Sequence, residues 1–225
     1  MLHNNIHQVI KEINEACFEI GRNPSEITLM GASKSQSIRN IEDAYNNGVV
    51  HFGENYLQEA EKKINAIDKD IVWHFIGAIQ SRKTKKIAQL FDWVHTVDSL
   101  KVAQRLDNER PTSKGKLNIC IQVNIDKEAS KSGVNENELS FLLEELVKLE
   151  KIQVRGLMII PKPRSSKEEQ IAVFNRLRNI LESHKNNFSD LDTLSMGMSS
   201  DYLSAIKEGA TILRIGTGIF GERAK

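Results

Sequence analysis

Apolar residues Ile6, Ile10, Ile13, Cys17 and Ile20, separated by 4, 3, 4 and 3 positions, form one stripe on a 3.6-residue period. They predict a helix over the first 20 residues, ended by Gly21 and barred from continuing by Pro24. Beyond it, short apolar runs alternate with segments of helical spacing. The runs are ITLMGAS (27–33), VVHFGEN (49–55), VWHFIGAI (72–79) and WVHTVD (93–98). They continue as LNICIQVNI (117–125), IQVRGLMII (152–160), LDTLSMGM (191–198) and TILRIGTGIF (211–220). Rich in β-branched and aromatic residues and bounded by Gly, Asn, Asp, Ser or Pro, these eight runs predict eight strands. Between them, Phe141, Leu142, Leu146 and Leu149 stripe one helix, and Ile171, Phe174, Leu177 and Leu181 another. Ser199-Ser200-Asp201 offers a cap for a helix through Tyr202 and Ile206 that stops at Gly209.

Parallel strands need a crossover, and the crossover is normally a helix. Strand–helix alternation repeated eight times therefore predicts an α/β chain folded as a (β/α)8 TIM-type barrel with an extra N-terminal helix, one domain spanning 1–225. A doubly wound open sheet would have to break the series into two halves, and no linker offers the break. The eighth run reaches about Phe220, which leaves no room for a last helix. The N-terminal helix is expected to cover the surface such a helix would protect.

Composition narrows the role. Lys+Arg 31 against Asp+Glu 30 gives a net charge of +1, which argues against a general nucleic-acid or membrane-surface binder. Cys17 and Cys120 are too few for a disulfide framework and suggest no metal site. The N-terminus has no apolar signal core, and no run approaches the ~18 apolar residues of a membrane span. A cytoplasmic protein is expected.

In such barrels the chemistry sits at the C-terminal strand ends. Strand one ends in Ser33-Lys34-Ser35, and by the period of two Thr28, Met30, Ala32 and Lys34 share a face opposite Ile27 and Leu29. With Ile27 and Leu29 toward the helices, Lys34 projects over the barrel mouth. It is then either a solvated loop lysine or a partly desolvated amine suited to a Schiff base. Strand eight puts Arg214 on one face with Ile212 and Gly216, inside an otherwise apolar strand. A guanidinium stays charged there and needs acceptors, from a structural acid or from a ligand. Next to it, Gly216-Thr217-Gly218 lets backbone N–H groups approach an anion. The Gly/Ser turn Ser195–Asp201 opens a helix whose N-terminus suits phosphate, a recurring arrangement after strands seven and eight. Together these features describe a ligand with a phosphate, a hydrogen-bond acceptor and an aldehyde or ketone.

At these residues the chain resembles the pyridoxal-phosphate homeostasis family, single-domain barrel relatives of alanine racemase. The likeness rests on ASK at 32–34, HFGENY at 51–56, WHFIGAIQSRK at 73–83 and SKSG at 130–133. RGLMIIP at 155–161, LSMGMSSD at 194–201 and RIGTGIFG at 214–221 extend it over nearly the whole chain. Ala78 and Ile79 depart from the Pro-Leu or Pro-Ile pair of relatives, away from ligand-bearing positions. The resemblance implies that Lys34 carries pyridoxal 5′-phosphate as a Schiff base. It implies that Ser195, Met198 (through its backbone), Ser199, Gly216 and Thr217 hold the phosphate, that Arg214 faces the pyridine nitrogen, and that Asn55 lies near the ring. It also implies a monomeric intracellular cofactor carrier or buffer without efficient catalysis, with apo pyridoxal-phosphate enzymes as recipients. The alternative is a racemase or another Schiff-base enzyme. An arginine at the pyridine nitrogen weakens the electron sink that carbanion chemistry needs. An aldolase would draw its acid/base pair from Glu54 and Tyr56.

Other residues read more simply. Arg82, Lys83, Lys85 and Lys86 form a basic run, taken first as a solvated face and second as an accessory anion contact. Lys127 and Lys131 stand on the rim after strand five, placed to receive the ligand during transfer. His51, His74 and His95 have no metal spacing and are expected as hydrogen-bonded core histidines. Cys17 and Cys120 are expected as buried apolar-like groups, and Trp73 and Trp93 as packing residues.

Overall fold

All eight apolar runs form strands in the computed structural model, which describes residues 1–126 and 132–222. They are β1 (Thr28–Ala32), β2 (His51–Glu54), β3 (Val72–Phe75), β4 (Trp93–Val97), β5 (Leu117–Gln122), β6 (Ile152–Met158), β7 (Thr193–Met198) and β8 (Ile212–Ile215). Each pairs in parallel with the next and β8 pairs with β1, so the sheet closes into a barrel. The helices are α1 (Leu2–Glu19), α2 (Ile38–Asn46), α3 (Leu57–Ala66), α4 (Thr84–Leu90) and α5 (Leu100–Glu109). They continue as α6 (Leu139–Leu146), α7 (Lys167–Lys185), α8 (Tyr202–Lys207) and α9 (Thr217–Phe220). None of them is long and apolar enough to cross a membrane.

The period of two on β1 sorts its residues as expected. Met30 packs inside the barrel with Ile76 and Ile212, while Ile27 and Leu29 join the larger core between sheet and helices. That outer layer holds the bulkiest buried side chains, among them Phe52, Phe75, Phe91 and Phe174. Cys17 and Cys120 are fully buried, and burial pushes the Cys120 thiol up to about 12. Trp73 is a core residue. Trp93 stacks on His74, and the Arg155 guanidinium lies 5.1 Å from the Trp93 ring.

Three details differ from the sequence pattern. The stripe of α1 is turned so that Val9 and Ala16 are buried with Ile6, Ile13 and Cys17, leaving Ile10 and Ile20 exposed. Val9 on this face lies beside the β8 turn, where a Cβ built on Gly218 would come within 3.6 Å of it. On α6 the inner face is Leu139, Leu142, Leu143 and Leu146, and Phe141 is 64% exposed. The eighth strand stops at Ile215, and 217–220 turn into the single-turn α9. A helix thus does follow the eighth strand, though one too short to cover the barrel. α1 packs against α2, α8 and α9 and fills that side, tied down by an Asn5 side-chain bond to the Ile219 carbonyl (3.1 Å) and by Tyr202 donating to Glu12.

Candidate functional site at the barrel mouth

The register brings the chemistry to one rim. Ala32 pairs with Gly53, so Lys34 and Asn55, each two residues further on, leave neighbouring strands at the same level. On the other side of β1 a Cβ on Gly216 would lie 3.6 Å from Ala32, placing the β8 turn against the end of β1. Ser199 Oγ accepts from the Gly218 N–H (3.1 Å), which ties the turn after β7 to the turn after β8. Lys34, Asn55, Ser199, Gly216 and Thr217 therefore surround one mouth, with Arg214 buried inside the barrel beneath it.

Asn55 Oδ1 is a buried acceptor with no partner among the described residues. Its residue lines a cavity of ≈ 350 Å³ together with Gly77, Thr96, Asp98, Asn124 and Ile160. A buried amide oxygen left unpaired suggests a ligand donor. Asn55 is held by close backbone contact, since a Cβ on Gly77 would fall 2.0 Å from the Asn55 carbonyl oxygen. Gly77→Ala is expected to push the Asn55 backbone away and to cost about 1–3 kcal/mol by overpacking, read from urea unfolding. An unchanged midpoint would show that the β2 end yields freely.

The turn carrying Lys34 is gripped by Glu54 together with Lys63 and Glu59, two residues that the sequence reading did not single out. Lys63 Nζ, only 4% exposed, donates to the Ser33 carbonyl (2.8 Å), Glu54 Oε1 (2.7 Å) and Glu59 Oε1 (2.6 Å). Ser33 Oγ donates to Glu54 Oε1 (2.6 Å), and the Ser35 N–H donates to Glu59 Oε1 (2.6 Å). Ser35 itself sits at φ 64°, a left-handed conformation that costs energy for a residue with a side chain. The buried cluster fixes that strained turn and with it the base of Lys34. Burial pushes the Glu54 carboxyl up, and its bonds from Lys63 and Ser33 pull it back down. In sequence Glu59 and Lys63 are an ordinary i,i+4 pair on a helix, so nothing there signals burial. Glu54 is thereby a structural acid held by Lys63, and the half-exposed Tyr56 lies beyond it.

Arg214 is 4% exposed, and its acceptors are neutral: Nη1 donates to Ser195 Oγ (2.9 Å) and Nη2 to the Ile159 carbonyl (2.7 Å). Burial brings the guanidinium down to about 10, with the Asp201 carboxylate pulling the other way. Two residues expected at the phosphate are engaged elsewhere. Ser195 lies below the rim, fully buried, with its Oγ between Arg214 and His95 Nδ1 (2.8 Å). The Met198 N–H donates to Asp201 Oδ1 (2.7 Å), an acid capping its own turn.

The three histidines form a core hydrogen-bonded set, as their strand positions suggested. His51 Nδ1 is 2.9 Å from His74 Nε2, and His74 Nδ1 is 2.8 Å from His95 Nε2. Burial lowers all three, His95 to about 3. The basic run is a solvated face: Arg82, Lys85 and Lys86 are exposed and Lys86 pairs with Glu61 at 2.6 Å. Lys127 and Lys131 lie outside the described residues.

With this geometry in place, the likenesses to known proteins are specific. The family model "Alanine racemase, N-terminal domain" matches residues 29–224. The pyridoxal phosphate homeostasis protein of Pseudomonas aeruginosa is 47% identical over 97% of this chain and 94% of its own. That of Escherichia coli is 42% identical over 98% and 96%. The structure of PipY from Synechococcus elongatus with PLP bound has a TM-score of 0.85 and 33% identity, covering 98% of this chain and all of its own. An alanine racemase of Clostridium difficile, 14% identical with a TM-score of 0.77, shares the fold over 60% of its length. Full-length coverage at this identity settles the relationship: the chain belongs to the pyridoxal phosphate homeostasis protein family, built on the alanine racemase N-terminal domain.

Proposed function

We propose that this chain binds pyridoxal 5′-phosphate at the mouth between β1, β2, β7 and β8 and serves as a carrier or buffer for it. The observation that carries this reading is the closeness of the β1 end that bears Lys34 to the joined β7 and β8 turns, above a buried arginine with no carboxylate bonded to it among the described residues. The residues fit the group: an amine for an aldehyde, serine, threonine and glycine N–H groups for a phosphate, and an unpartnered amide oxygen at the ring's edge. When bound, the cofactor supplies the aldehyde with which the Lys34 amine forms a Schiff base. Lys34 would hold it, Ser199, Gly216 and Thr217 would bind the phosphate, and Asn55 would stand near the ring. Arg214, which keeps its protons, would be the donor for the pyridine nitrogen, and a nitrogen that only accepts would make the ring a weak electron sink. Retention and release suit such a site better than turnover. A monomer that hands the cofactor to apo enzymes is the role that follows.

Two measurements test this. Added pyridoxal phosphate should turn the protein yellow, and borohydride should fix the label on Lys34 when the tryptic peptides are mapped. Lys34→Ala should abolish the fixed label. A colourless protein, or label on another lysine, would overturn the assignment.

A further inference from the structure

The histidines on β2, β3 and β4 rise as a stair. Gly53 pairs with His74 and His74 pairs with Trp93, so each successive histidine stands two residues higher than the one before. The stagger of a closed barrel turns that rise into a diagonal through the interior. The diagonal starts at the half-buried His51, passes the fully buried His74 and His95, and ends on Ser195 and Arg214 across the barrel.

Proton counting gives the row a direction. A guanidinium only donates, so Ser195 Oγ accepts from Arg214. The single Ser195 hydroxyl proton then goes to His95 Nδ1. His95 must therefore carry its proton on Nε2 and donate to His74 Nδ1, and His74 in turn donates from Nε2 to His51 Nδ1. Every contact in the row is satisfied this way. Reversing it would make Ser195 accept from both sides and strand its proton in a site with no water access. Charging His95 would set a second cation beside Arg214, and its downward shift to about 3 agrees with a neutral ring.

We infer that His95, backed by His74 and His51, is a positioning residue for Arg214: it sets which way Ser195 points its proton, and so holds the guanidinium by one serine and one carbonyl with its other N–H groups left for the ligand. The ligand part rests on the pyridoxal reading above; the proton arrangement does not. A serine free to rotate would let the arginine swing, and the pyridine nitrogen would lose a fixed donor.

Nitrogen-15 NMR of the unliganded protein tests the arrangement directly. His74 and His95 should each show a protonated Nε2 and an unprotonated Nδ1 at neutral pH; a proton on His95 Nδ1 would overturn the inference. His95→Phe keeps a ring beside Trp93 but removes both nitrogens. It should weaken pyridoxal phosphate binding on the order of tenfold and shift the absorption band of the bound cofactor. His95→Gln retains an acceptor for Ser195 and a donor for His74 and should restore both. Unchanged affinity and spectrum in folded His95→Phe would also overturn it. If that variant does not fold, the NMR result on the native protein decides. Wild-type protein that takes up no cofactor would sink the pyridoxal reading while the tautomers still judge the row.

Discussion

Lys63→Met should destabilise the protein by about 3–5 kcal/mol, a large part of the ~5–15 kcal/mol that holds a domain folded. Methionine keeps the apolar stem but removes three donated bonds at once, to Ser33, Glu54 and Glu59. Glu54, fully buried, is left with the Ser33 hydroxyl on Oε1 and no partner on Oε2 among the described residues. An uncompensated carboxylate cannot stay ionised in that setting, so Glu54 would take up a proton on folding. Adding Glu54→Gln to Lys63→Met should recover part of the loss, because the buried charge is then gone. Urea unfolding of the three proteins measures this, and a single-variant loss below about 1 kcal/mol would show that the cluster does not hold the turn. The strained Ser35 should relax in Lys63→Met, so borohydride trapping on Lys34 should slow as well.

The second large effect is acid sensitivity. His74 and His95 stay neutral in the folded barrel, His95 down to about pH 3, whereas both protonate near 6.5 in the unfolded chain. Between those limits the unfolded state binds more protons, so stability falls as pH drops below 6.5. His95 contributes roughly 1.4 kcal/mol per pH unit over that window, about 2.5–3 kcal/mol by pH 4.5, and His74, lowered well below its ordinary value, acts in the same sense. Glu54 and Asp201, whose burial raises them, act in the opposite sense and offset part of the loss. Urea midpoints at pH 7, 6, 5 and 4.5 should decline steadily, and His95→Gln should flatten the slope by one proton. A flat profile would mean that the histidines charge inside the fold.

The barrel was legible because eight β-rich runs at regular intervals admit few closed arrangements. Lys34, Arg214 and the Gly/Ser turns could be read for a related reason: strand ends and alternation determine which way a residue faces. The supporting residues were less visible. Lys63 sits in a charged helix, and only the approach of α3 to the β1 turn buries it. Ser195 was expected at the phosphate from the family resemblance, and its bonds to Arg214 and His95 depend on strands far apart in sequence. The histidine row follows from barrel stagger, a three-dimensional property that no single strand carries.

The closure of β8 onto β1 bears on how the protein folds. Lys34 leaves the first strand and Gly216 and Thr217 follow the last, so the two halves of the site come from contacts about as distant in sequence as this chain allows. Contacts of that separation carry the largest loop-closure cost and form late. A nascent or partly folded chain would hold the amine but not the anion-binding turns. A ligand bound across the seam would act as a clasp, stabilising the ring in proportion to its concentration. Cofactor abundance would then set how long the barrel stays shut.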